Sequence, residues 1–265
     1  MKYYEYGKQN ARTIMLLPGI CCNVSCNFTQ VIPLLAEHFR VIGVDYDGFD
    51  GSGAEFPGML AVTAKIERFV RKKLGGKVDI VYGSSLGGSF VGLLVQRKNI
   101  HIDHAIIGSS DLDQSSKLSA FLQTELLGGA LYNMLKTGAM PKWVRRFCEK
   151  KMGSEVTEKY SAMLDRIGEA MTTVTKTSMK RQFYSDLVTP LDLMIRAKGT
   201  TVHVFYASQM GEKYLQRYRL HFFKPDIIEQ DYGHEELLFF YPEEWVKENL
   251  KCCADKTTPN ESLLE

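Results

Sequence analysis

No apolar run in this chain approaches the roughly 18 residues that read as a membrane-spanning helix. The longest are short stretches such as residues 14–17 and 237–241. The opening Met1-Lys2-Tyr3-Tyr4-Glu5 has no apolar centre, so a secretory signal is not expected. Proline is scarce, at 8 of 265 residues, and no linker rich in Pro or Ser and no internal repeat divides the chain. Charge of one sign is also lacking. Lys+Arg number 33 and Asp+Glu 31, a net +2 that gives no ground for nucleic acid as the main partner. What is present is ordinary: 45% hydrophobic and 24% charged residues, which excludes a disordered, collagenous or coiled-coil chain. The length suits one large domain, or a domain carrying an insertion.

The six cysteines, Cys21, Cys22, Cys26, Cys148, Cys252 and Cys253, come without an export signal. They read as reduced thiols of a cytoplasmic protein. Cys21-Cys22-Asn23-Val24-Ser25-Cys26 lacks the spacing of paired CxxC knuckles, and no Cys/His pair completes it, so no metal is expected there. The turn-rich stretch 45–53 lacks the spacing and terminal Glu of a calcium loop.

Short runs rich in β-branched or aromatic residues recur, each closed by a turn former: TIMLL at 13–17, RVIGV at 40–44, VDIVY at 78–82, HAII at 104–107, TVHVFY at 201–206 and DIIE at 226–229. Helical patterns lie between them, over 28–39, 63–74 and 86–98. This alternation predicts a mostly parallel sheet with helices on both faces.

From about residue 111 to 198 no convincing strand occurs. Apolar residues Leu118, Phe121, Leu122, Leu126, Ala130, Leu131, Met134 and Leu135 recur at helical spacing, as do Tyr160, Met163, Leu164, Ile167 and Met171. The stretch reads as a helical insertion. Residues 114–198 hold 14 Lys/Arg and 8 Asp/Glu, hence +6 there and −4 in the rest, and the ordinary reading of that surplus is a solvated helical face.

The strongest chemical signal is Val81-Tyr82-Gly83-Ser84-Ser85-Leu86-Gly87-Gly88. It follows a predicted strand, opens a predicted helix, and reads G-x-S-x-G around Ser85. A serine on so tight a turn has a strained backbone, and bulky side chains two residues to either side would clash. Gly83 and Gly87 remove that clash, and Gly88 lets the helix lie close to the sheet. No Lys follows, so the stretch is not a P-loop. A hydroxyl becomes a nucleophile only when a base takes its proton. Of six histidines, His234 alone follows the last predicted strand in a flexible loop, Asp231-Tyr232-Gly233-His234-Glu235-Glu236, where the carboxyl edge of a parallel sheet meets ligands.

Taken together, Leu17-Pro18-Gly19-Ile20, the turn at 45–53, the Ser85 turn, the helical insertion and the late Gly233-His234 resemble the α/β-hydrolase fold superfamily. The resemblance implies a core domain of residues 1–110 and 199–265 and a helical cap, 111–198, inserted after the sixth strand. It also implies Ser85 before His234 in chain order, with the oxyanion held by the amides of Ile20 and Leu86. Two departures stand out. Pro18-Gly19 replaces the common His-Gly, and the family's usual acid position falls on Met210 in Tyr206-Ala207-Ser208-Gln209-Met210-Gly211-Glu212. Two residues can supply the acid. Glu212 has a longer side chain beside flexible Gly211 and is preferred; Asp111 follows the strand after the Ser85 turn. The expectation is a cytoplasmic serine hydrolase of a small, largely apolar acyl ester or thioester, needing no cofactor. The alternative is a binding or sensor protein on the same scaffold, and a third reading keeps the fold for lyase or cofactor-free peroxidase chemistry.

Overall fold

The computed structural model describes residues 1–138 and 140–253, and the side chains of residues 127, 129–131, 151 and 152 lie outside that description. Its seven strands are β1 (Lys2–Tyr6), β2 (Thr13–Leu17), β3 (Arg40–Asp45), β4 (Lys77–Ser84), β5 (His101–Gly108), β6 (Thr201–Ala207) and β7 (Asp226–Gln230). They form one sheet in the order β1-β3-β2-β4-β5-β6-β7. Only β1 runs antiparallel, pairing Lys2 with Asp45 and Tyr6 with Val41. The six predicted strands are all present. β1 is the addition: its Lys-Tyr-Tyr-Glu-Tyr carries no aliphatic side chain, and it is held instead by the β3 edge and by Tyr3 stacked on Phe69, ring centroids 3.8 Å apart.

Strand β2 is buried along its whole length, as a central parallel strand must be. Its side chains alternate, with Met15 and Leu17 packing into the core on one face and Ile14 and Leu16 into that on the other. The first core takes in α3 (Met59–Lys73) and α4 (Leu86–Arg97). The second takes in α1 (Val24–Phe28), α2 (Ile32–Leu35), α10 (Glu236–Phe240) and α11 (Pro242–Cys252), with Trp245 fully buried. The single helix expected over 28–39 is two short ones. Pro33 stands in the first turn of α2, where its missing N–H costs nothing, and could not continue a helix through that point.

Between β5 and β6 lie α5 (Lys117–Thr137), α6 (Lys142–Met152), α7 (Ser154–Ala170) and α8 (Lys176–Val188); α9 (Glu212–His221) follows β6. The helical segment therefore follows the fifth strand of this chain, not the sixth, because a single strand precedes the parallel run. On α7, Leu164 and Ile167 are buried as expected, with Met171 just beyond. On α5 the pattern differs: Leu118, Phe121, Leu122 and Leu126 face solvent, and Ala120, Thr124 and Leu135 face inward. The side chains of Ala130 and Leu131 lie outside the described residues. Among the described residues no helix is long and apolar enough to cross a membrane.

Candidate active site

The site is built at the carboxyl edge of the sheet. β4 ends at Ser84 and α4 begins at Leu86, leaving Ser85 alone to make the turn, at φ 49° and ψ −115°. That backbone is strained for any residue with a side chain, at a cost on the order of 1–3 kcal/mol. A Cβ on Gly83 would overlap the Gly87 carbonyl, and one on Gly87 would overlap the Leu17 carbonyl. A Cβ on Gly88 would lie 2.7 Å from that of Ser110, on the sheet side. Gly19 packs directly on the turn, since a Cβ there would be 3.4 Å from Ser85 Cβ.

Two backbone donors near this position have no hydrogen-bond partner among the described residues. The Leu86 N–H opens α4 and has no carbonyl four residues back to bond. The Ile20 N–H lies in the loop after β2, whose shape is set by Tyr46 Oη donating to the Pro18 carbonyl at 3.0 Å and by the Gly19 N–H donating to Asn27 Oδ1 at 2.8 Å. The next amide, of Cys21, donates to Gln182 Oε1 at 2.9 Å.

His234 stands in the loop between β7 and α10. Its ring lies against the Ser109 carbonyl and within electrostatic reach of Asp111. Part of its surface reaches solvent, yet the protein crowding it lowers the imidazole pKa below its ordinary value. The Asp111 charge and the Ser109 carbonyl oppose that shift. Among the described residues no hydrogen bond joins the ring to Ser85 Oγ; in unliganded sites such bonds are often long and tighten on substrate.

The two acid candidates differ in placement. Asp111 is half-buried, its carboxyl raised by burial and by the Asp113 charge, and it acts on His234. Glu212 opens α9 in solvent, and its charge is felt by Tyr206 instead. The sequence favours Glu212 for its reach, but α9 directs it outward as a first-turn acid.

Three further polar residues converge here that the sequence did not single out. Glu235, buried at φ 58°, accepts the Ser85 N–H on Oε1 at 2.9 Å, with the Ser84 hydroxyl also against its carboxyl. Its Oε2 has no partner among the described residues. Burial pushes this carboxyl up to about 8. Gln182 of α8 is fully buried, and its Nε2 is likewise unpartnered. Asp186, one turn on, is pushed up to about 8 by burial and by Asp111, against a hydrogen bond from Ser89. No sequence signal marks them: a buried Glu or Gln has no periodicity of its own, and Glu235 reads as one half of a surface Glu-Glu pair. Helix α8 thus brings an amide and a carboxyl to this edge.

A strand, a glycine-flanked serine at positive φ, a helix, and a histidine loop at the same sheet edge form a known architecture. A family model described as alpha/beta hydrolase fold matches residues 12–141. The chain has the α/β-hydrolase fold. Solved structures agree across almost the whole chain. A putative α/β-hydrolase family protein from Desulfitobacterium hafniense superposes with TM-score 0.74 at 16% identity, covering 95% of this chain and 99% of that one. A hydrolase from Pseudomonas aeruginosa PA01 gives 0.70 at 14%, covering 96% and 94%. The enol-lactonase from Burkholderia xenovorans LB400 gives 0.64 at 16%, covering 95% of each. At such identities the likeness is one of fold.

Proposed function

We propose that this protein of the α/β-hydrolase fold is a serine hydrolase cleaving a small acyl ester or thioester. The observation that carries the reading is Ser85 alone at φ 49° between β4 and α4, beside the Gly19 loop. In this reading His234 Nε2 takes the Ser85 Oγ proton as Oγ bonds to the acyl carbon. The carbonyl oxygen becomes an oxyanion held by the Ile20 and Leu86 N–H groups, each worth about 3 kcal/mol of barrier. The imidazolium then protonates the departing alkoxide or thiolate, leaving an acyl-Ser85 ester. Water, deprotonated by His234, releases the acid and restores the hydroxyl. Asp111 is the acid that stabilises the imidazolium.

The helices of 111–198 serve as a cap over this edge. Support comes from Gln182 on the Cys21 amide, Ser178 Oγ accepting the Phe56 N–H at 3.1 Å, and Tyr160 beside Gly233. The acyl pocket so formed is mixed rather than purely apolar. Six free cysteines fit a cytoplasmic setting.

Ser85→Ala tests the assignment: turnover of a nitrophenyl ester should fall at least a thousandfold, on the order of 4 kcal/mol, and undiminished turnover would refute it. The rival reading, a weakly catalytic binding protein, draws on Met210 at the usual acid position. A fluorophosphonate separates the two, since only an activated Ser85 is labelled rapidly.

A further inference from the structure

Helix α6 carries two rows of side chains in solvent. Lys142, Arg146 and Lys150 form one row at one-turn spacing, all exposed. Trp143 and Phe147 form the other, immediately beside it, 75% and 60% exposed. The flank of the helix on the far side of the basic row from the aromatic pair is anchored. There Arg145 pairs with Glu149 at 3.1 Å and with Glu158 of α7. None of the three basic residues of the outer row has an acidic partner among the described residues.

Each row has a bland explanation alone. Lysine and arginine rows are usually solvated, and single exposed aromatics are common. Their juxtaposition is not explained that way. Two large aromatic side chains remain in water one turn apart, flanked along about 12 Å of helix by three cations without an acidic partner among the described residues. The setting adds to both. Leu118, Phe121, Leu122 and Leu126 of α5 are also exposed, and residues 114–198 carry a net +6 while the rest of the chain carries −4.

We propose that α6 is an interfacial helix that seats the protein on an anionic lipid surface, with Trp143 and Phe147 entering the headgroup region and Lys142, Arg146 and Lys150 meeting lipid phosphates. A short helix with a basic row beside Trp and Phe, and little overall hydrophobicity, has the chemistry of an element lying in the plane of a bilayer surface. Trp favours that boundary because its ring is apolar and its N–H is polar. Cations near an anionic leaflet are attracted within a Debye length, so binding depends on salt. A nucleic acid backbone would account for the basic row but not for the apolar one. A second copy of this chain would bring like charge against like charge at this face. The proposal does not depend on the hydrolase reading, since it concerns binding alone.

The test uses the full-length protein and vesicles of phosphatidylcholine alone or mixed with phosphatidylglycerol. The chain has two tryptophans, and Trp245 is fully buried, so a blue shift of emission on adding vesicles reports Trp143. The expected result is a blue shift and co-sedimentation with the phosphatidylglycerol vesicles only, reversed by high salt. Lys142→Glu with Arg146→Glu should weaken binding at least tenfold, and Trp143→Ala with Phe147→Ala should abolish it. All four residues are exposed, and far-ultraviolet circular dichroism verifies that each variant is folded. The proposal is overturned by an absence of binding, by equal binding to the neutral vesicles, or by charge reversal without effect. It is also overturned if light scattering shows a dimer that Trp143→Ala dissociates while vesicles do not bind.

Discussion

Glu235 Oε1 accepts the backbone N–H of Ser85 at 2.9 Å across 150 residues of sequence. The same N–H also reaches the Gly108 carbonyl at 2.8 Å. The residue after His234 thus fastens the histidine loop to the backbone of the serine turn. Ser84 lies against the same carboxyl, and Asn27 Nδ2 is 3.4 Å from Ser84 Oγ while Asn27 Oδ1 holds the Gly19 N–H. One buried polar chain therefore links the three loops that meet at the site.

Glu235→Gln keeps an acceptor for the Ser85 N–H, whereas Glu235→Ala removes it. The alanine variant is expected to lose about 1–3 kcal/mol of stability and most of its turnover, with the glutamine variant retaining both. The pH dependence separates them further. The carboxyl is raised from 4.5 to about 8 in the fold, so between those values the unfolded chain is ionised and the folded one is protonated. Stability must then fall as pH rises from 4.5 to about 8. Urea denaturation across that interval should show the decline in the native protein and a flatter profile in Glu235→Gln.

The His234 imidazole is lowered by burial and partly restored by Asp111. The acid limb of kcat/KM for ester turnover should therefore have its midpoint below 6.5, the ordinary imidazole value. Asp111→Asn removes the restoring charge, so the midpoint should move lower still while the rate falls at least tenfold, about 1.4 kcal/mol. Glu212→Gln should leave both the limb and the rate unchanged. A shifted limb in Glu212→Gln, with none in Asp111→Asn, would reverse the choice of acid.

Gly87→Ala places a methyl inside the Leu17 carbonyl, where only backbone can give way. A loss of about 3 kcal/mol or more is expected, readable as a lowered denaturation midpoint. Gly53→Ala provides the contrast in space, because nothing lies within 4 Å of that position. Its φ of 78° still costs strain, but the loss should be smaller than at Gly87.

Ser85 was legible in the sequence because its surroundings are local. Strand, turn and helix lie within a few consecutive residues, and the glycines each answer a clash with a neighbour two to four positions away or with the adjacent strand. Parallel β-structure was legible for a similar reason, since buried central strands must be apolar on both faces, as TIMLL is. The acid was not. Choosing between Asp111 and Glu212 depends on which way α9 points the latter, and helix orientation is set by packing against β6 rather than by the residues around Met210.

By itself, then, the order of residues determined the sheet, the serine turn and the histidine that follows it, because period-two burial and glycine sterics act between near neighbours. Only folding decided that Glu235 lies under Ser85, that Gln182 reaches the Cys21 amide, and that Trp143 faces water while Trp245 does not. Those outcomes depend on which surfaces meet across long stretches of chain, and a residue type carries no record of its partner.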